Sequence, residues 1–155
     1  MVYTDCYEQM LQLIERRTGM VARKKVPGLG HQGWVLTGPA GETAVVLLKG
    51  CAFKPARRRW FSGIGIHQVE ALAGCRGFTV VGLCDDKGSR LVHVLVIPGE
   101  VVDAWGAQGL LRNPQVTSST EQWKLNICAG SGGCRLGSLH GLRLDAYLDS
   151  YHLLA

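Results

Sequence analysis

The stretch Thr43-Ala-Val-Val-Leu-Leu48 is apolar without a break and stops at Lys49. A strand with one wet face alternates polar and apolar residues, so an unbroken run marks a strand covered on both faces. That burial calls for a central sheet with helices on its flanks. A charge at the exit of such a strand makes Lys49 a candidate functional residue.

The rest of the chain supplies the flanking elements. Residues 5–18 carry Cys6, Met10, Leu13 and Ile14 at helical spacing, with Asp5 and Glu8 arranged as a capping box and Gly19 as a stop. After a basic loop, residues 33–37 read as a strand, and Pro39-Ala-Gly-Glu42 turns the chain into the buried run. Residues 60–66 suit a further strand, and residues 67–73 a short helix closed by Gly74. Residues 78–84 and 90–97 are strands joined by the hairpin turn Asp85-Asp86-Lys87-Gly88. Residues 101–111 are helical in part and residues 112–121 form a loop. Residues 123–128 are a strand, and residues 142–154 a closing helix with Leu144, Tyr147, Leu148 and Tyr151 on one side. The expected fold is one α/β domain (α+β mixed) over residues 1–155, with a central mixed sheet flanked by helices. Its order is α-β-β-β-α-β-β followed by a small strand and a C-terminal helix. Residues 5–100 form the core and residues 101–155 are appended to it.

A chain of 155 residues fits one core. Its 46% hydrophobic and 19% charged composition is far from that of disordered chains. No apolar stretch approaches the roughly 20 residues that cross a bilayer, so no membrane partner is expected. The start Met1-Val-Tyr-Thr-Asp-Cys lacks the layout of a secretory signal, which points to the cytoplasm. The six cysteines include no CxxC pair and are expected as reduced, buried thiols. Cys128 and Cys134, separated by Ala-Gly-Ser-Gly-Gly, are a pair that a tight loop would bring together to bridge or to bind a metal.

The net charge of +5 is unevenly placed. Between Arg16 and Arg76 there are eleven basic residues against two acids, Glu42 and Glu70; after Arg76 there are six basic and seven acidic residues. Two clusters dominate: Arg23-Lys24-Lys25, and Lys54-Pro-Ala-Arg57-Arg58-Arg59-Trp60. Phosphate backbones attract such clusters through counterion release, and a Trp beside them can stack on an unpaired base. A solvated loop serving solubility is the plainer reading of either cluster alone. Two in one acid-poor half favour a polyanion, DNA or RNA, and a dimer would suit a domain acting on a duplex.

The order helix, strand meander, helix, further strands resembles the PD-(D/E)xK nuclease-like fold of restriction and repair nucleases. In that family, carboxylates and a lysine hold Mg²⁺ and activate the attacking water. The resemblance places Lys49 at the motif lysine and Gln68 at a glutamine that some branches carry in the following helix. Leu95-Val-Ile-Pro98 is similar to strand endings of restriction-type members. Leu47 stands where the second acid belongs, and no aspartate occurs between Asp5 and Asp85. The carboxylates implied for Mg²⁺ are therefore Glu42, with Glu70 and Glu15 as relocated ligands. With Leu47 facing the metal position, the chain would keep the fold for binding alone.

Other constellations carry less. Gly28-Leu-Gly30-His31-Gln-Gly33 precedes a strand and fails as a dinucleotide loop; His67-Gln-Val-Glu70 lacks the PCxxC partner of a zinc deaminase. Cys51 with His93 or His140 is a nucleophile–base pair on paper only. Trp34, Trp105 and Trp123 sit in apolar stretches and read as core, whereas Trp60 has the charged setting of a working surface. Two rival functions remain: a non-catalytic protein whose basic face meets an acidic partner, and an enzyme on a small anionic substrate using the glycine-rich residues 129–133.

Overall fold

The computed structural model describes residues 4–72, 74–111, 122–130, 133–137 and 141–155. The chain opens with helix α1 (Thr4–Thr18) and strand β1 (Val21–Lys25), then a 3-10 turn (Gly30–Gln32) leads into β2 (Gly33–Thr37). β3 (Thr43–Lys54) and β4 (Arg59–Gly65) form a hairpin that runs directly into the short helix α2 (Ile66–Glu70). β5 (Gly77–Cys84), β6 (Leu91–Pro98), α3 (Gly99–Ala107), β7 (Gln122–Gly130), β8 (Gly133–Leu136) and β9 (Leu142–Arg143) follow, and two 3-10 turns end the chain. Among the described residues this is a single α+β domain of three α-helices and one nine-stranded sheet, antiparallel except where β5 joins β3.

β3 organises the sheet. It pairs with β2 on one side, from Thr43 to Leu47, and with β5 on the other, from Val45 to Ala52. Its last two residues pair with β4 instead, Phe53 with Trp60 and Lys54 with Arg59. One strand thus carries β1-β2-β3-β5-β6 at one end and β3-β4-β7-β8-β9 at the other.

The run predicted to be covered on both faces is so covered: Ala44, Val46, Leu47 and Leu48 are all buried. Val46 and Leu48 meet Val80, Val94 and Val96, with Cys6, Met10 and Ile14 of α1 laid over them. Leu47 and Cys51 face the other way, toward Trp60, Ile64, Leu125, Ile127 and Leu136 of the second strand group. Val69 of α2 with Val102 and Trp105 of α3 completes that core. α1 therefore flanks one face, and on the other α2 and α3 share the cover with β4, β7 and β8, so the expectation of flanking helices is met in part.

Three expectations are corrected. β3 does not stop at Lys49: the small residues Gly50, Cys51 and Ala52 carry it on to Lys54 beside β5. Arg23, Lys24 and Lys25 lie in a strand rather than a loop, at the sheet edge, where exposed charge is well tolerated. The closing helix is replaced by β9 and the 3-10 turns Asp145–Tyr147 and Tyr151–Leu153. Asp149 breaks it, with φ at 50° and its backbone N–H donated to the Val94 carbonyl. Leu144 and Tyr151 are buried as their spacing implied, without forming a helix. The expected loop over residues 112–121, and the side chains of Asp5, Trp123 and His140, lie outside the described residues.

Candidate nucleic-acid interface

Lys49 sits on the core-facing side of β3 between Leu47 and Cys51, half-buried. Ladder pairing on its outer flank ends at Leu47 with β2 and resumes at Phe53 with β4, so Lys49 occupies the window between those two strands. Burial pushes its ammonium below the usual lysine range, and the nearby charge of Lys124 pushes the same way.

The carboxylates expected around it are elsewhere. Glu42 is seven residues down the strand, roughly 23 Å at the rise of a β-strand. Its carboxylate accepts from the Ala40 N–H at 3.0 Å and pins the β2–β3 turn. Glu70 is exposed at the end of α2, in a cleft of about 730 Å³ that it shares with Arg76, Gly77 and Glu100. Gly77 is level with Val45, about 13 Å along β3 from Lys49. Glu15 is exposed on α1, which covers the opposite face of the sheet from α2. Among the described residues no three His, Cys, Asp or Glu side chains are grouped to hold a metal. A hard cation such as Mg²⁺ needs several converging oxygens, and this donor set does not supply them.

Gln68 has a structural task. Its Oε1 accepts from the Gly65 N–H at 3.0 Å, which caps α2, and its Nε2 donates to Gln32 Oε1 at 2.9 Å. Gln32 in turn donates to the Tyr7 hydroxyl at 3.0 Å, so the chain of amides ties α2 to α1 around the sheet edge. Cys128 and Cys134 are both buried free thiols. Cys134 pairs with Ala129 and belongs to the core, and Cys128, one residue earlier on β7, donates to the Gly137 carbonyl at 3.8 Å.

The two basic clusters do not share one patch. Arg23, Lys24 and Lys25 lie on the edge strand β1, where Lys25 Nζ stands 5.6 Å from the centre of the Trp34 ring and 3.3 Å from His31 Nδ1. Trp34 is level with Val46, eight residues or about 26 Å along β3 from Lys54. Lys54, Arg57 and Arg58 form the exposed β3–β4 turn, closed by Arg57 N–H to the Lys54 carbonyl at 3.1 Å. Arg76 is used inside the fold, donating to the carbonyls of Leu153, Leu154 and Ala155.

Trp60 is not a surface residue. It is 6% exposed, donates its indole N–H to the Cys84 carbonyl at 2.7 Å and packs edge-on to Phe53 at 4.8 Å. Strand alternation explains the difference from its charged neighbours, because Trp60 and Arg59 must face opposite ways.

The same alternation defines the site that sequence reasoning missed. Trp60 pairs with Ile127, and Ile127 with Leu136, all three in the core. The adjacent row is Arg59, Cys128, Arg135 and Arg143, one residue from each of β4, β7, β8 and β9. Paired residues share a face, so this row faces away from that core, with Arg143 exposed, Arg59 and Arg135 half-buried and Cys128 buried between them. Phe61 and Asn126 are the next outward pair, followed by Gly63 and Lys124. Gly63 offers no side chain, and Lys124 reaches across β4 until its Nζ stands 5.6 Å from the centre of the half-exposed Phe61 ring. Arg135 is anchored by donating to the Gly141 carbonyl at 3.0 Å, and Arg143 pairs with Asp145 at 3.1 Å. Asp145 sits at the rim, its carboxyl held below the usual range by the Cys134 N–H and then by Arg143. The outer face is therefore a strip of guanidinium and ammonium groups around one aromatic ring, continuous with the Lys54–Arg59 turn. Compared with protein-family models, with curated proteins and with solved structures, the chain matches none.

Proposed function

We propose that this chain binds single-stranded nucleic acid on the outer face of β4, β7, β8 and β9. The observation that carries the reading is the outward row Arg59, Arg135 and Arg143, with Lys124 beside Phe61 and with Lys54, Arg57 and Arg58 at its end. Cations across the strands meet phosphates, and the half-buried Phe61 ring gives an unpaired base a surface to stack on. Arg23, Lys24 and Lys25, on the far edge, add long-range attraction without sharing these contacts. Lys49, Glu42 and Glu70 do not converge, so the reading is one of binding without hydrolysis through that set.

Fluorescence anisotropy with a labelled oligonucleotide tests it. Affinity is expected to fall steeply with salt, the oligonucleotide remaining intact in Mg²⁺. Affinity indifferent to salt would remove phosphate contacts as its source, and tighter binding to an acidic peptide would favour a protein partner instead.

A further inference from the structure

Cys6 and Cys84 are 78 residues apart in sequence, yet their sulfurs are 2.6 Å apart in the core. A disulfide bond is about 2.05 Å long, so the pair stands about half an ångström from bonding distance and well inside ordinary contact between two sulfurs. Both residues are fully buried, at 1% and 0% exposure. Gly82 permits the approach: a methyl group there would meet Cys6 Sγ at 3.1 Å and Met10 Sδ at 2.9 Å. Cys51, the next thiol along, faces the other side of β3 and donates to the Gly82 carbonyl at 3.7 Å, so it does not compete.

We propose that Cys6 and Cys84 form a disulfide that ties α1 to the end of β5. The oxidant is a low-molecular-weight disulfide of the glutathione class. The Cys6 thiolate, exposed while α1 is undocked, attacks one sulfur of that disulfide and releases one small thiol. As α1 docks, the Cys84 thiolate attacks Cys6 Sγ and releases the second small thiol. Two protein thiols become one disulfide, the two electrons and two protons passing to the two small thiols. In the closed fold neither sulfur is reachable, so the rate follows the undocking of α1 and the finished bond resists reductants. The staple is independent of the nucleic-acid reading, since Cys6 and Cys84 are buried in the cluster under α1, which holds none of the strip residues.

The test uses the whole chain, reduced and then held with oxidised glutathione in mild urea before return to native buffer. Free thiols are blocked with iodoacetamide under denaturing conditions. The expected result is four blocked cysteines out of six, and a proteolytic fragment joining Cys6 to Cys84. The bonded protein should melt roughly 10 °C above the reduced protein, given a closed loop of this length. Cys84→Ser should retain glutathione on Cys6 and lose that thermal gain, and Cys6→Ser should show neither. Six blocked cysteines, a bond between another pair, or a bonded form melting no higher than the reduced one would overturn the proposal.

Discussion

Lys124 Nζ stands 5.6 Å from the centre of the Phe61 ring, reaching it over Gly63, its side-chain-less register partner. The two residues are 63 positions apart, and β4–β7 pairing alone brings them together. In the proposed reading they give the outer sheet face a cation for a phosphate and a ring for a base side by side.

Phe61→Ala should weaken binding of a single-stranded oligonucleotide by about 1–3 kcal/mol, the range for losing one stacked base. The loss should be nearly independent of salt, because stacking releases no counterions. Anisotropy titrations at two salt concentrations separate this from an electrostatic effect.

Trp60→Phe should lower stability by about 1–3 kcal/mol, because the buried Cys84 carbonyl loses its indole donor. Oligonucleotide affinity of the folded variant should stay unchanged, since Trp60 faces the core. The urea midpoint and an anisotropy titration on the same sample check both halves.

Glu42→Gln should leave oligonucleotide affinity as it was, with or without Mg²⁺, because Glu42 serves the β2–β3 turn far from the outer face. Stability should change by no more than about 1 kcal/mol, as for a lost exposed hydrogen bond.

Alkaline pH should destabilise the fold from about pH 9. Burial pushes the thiols of Cys51 and Cys134 from their ordinary 9.0 up to about 12 and about 11. Between those values the unfolded chain has lost protons that the native chain keeps, so stability falls as pH rises. Lys49 acts oppositely: its pKa is lowered in the fold, so stability regained there grows with pH up to 10.5. Lys49→Met should therefore be the more stable protein at pH 7, and its advantage should shrink as pH approaches 10.5. Urea midpoints across pH 7–11 for both proteins check the two signs.

Local patterns were legible in the sequence. The helical spacing of Cys6, Met10 and Ile14 and the unbroken run from Ala44 to Leu48 each gave the element and the face it buries. The Asp85–Gly88 turn was likewise legible, because its glycine takes a φ of 71° that other residues avoid. Trp60 was misread because charged neighbours in sequence suggest exposure, whereas alternation puts them on the other face. Of the outer strip only Arg59 and the adjoining turn were legible, as part of a basic cluster. Arg59, Lys124, Arg135 and Arg143 come from four strands, and no spacing along the chain encodes which registers will align. Glu42, Glu70 and Glu15 showed the converse, since three acids plausible on paper were separated by the length of β3 and the thickness of the sheet.

The dependence of oligonucleotide affinity on salt tests the central claim most directly, compared between the parent chain and the variant Arg59→Ala, Lys124→Ala, Arg135→Ala. Each phosphate contact on a single strand contributes about 0.7 to the slope of log affinity against log salt. The triple variant should therefore lose about 2 from that slope, with its melting temperature little changed. A slope equal to that of the parent chain would show that the outer face of the sheet is not where nucleic acid binds.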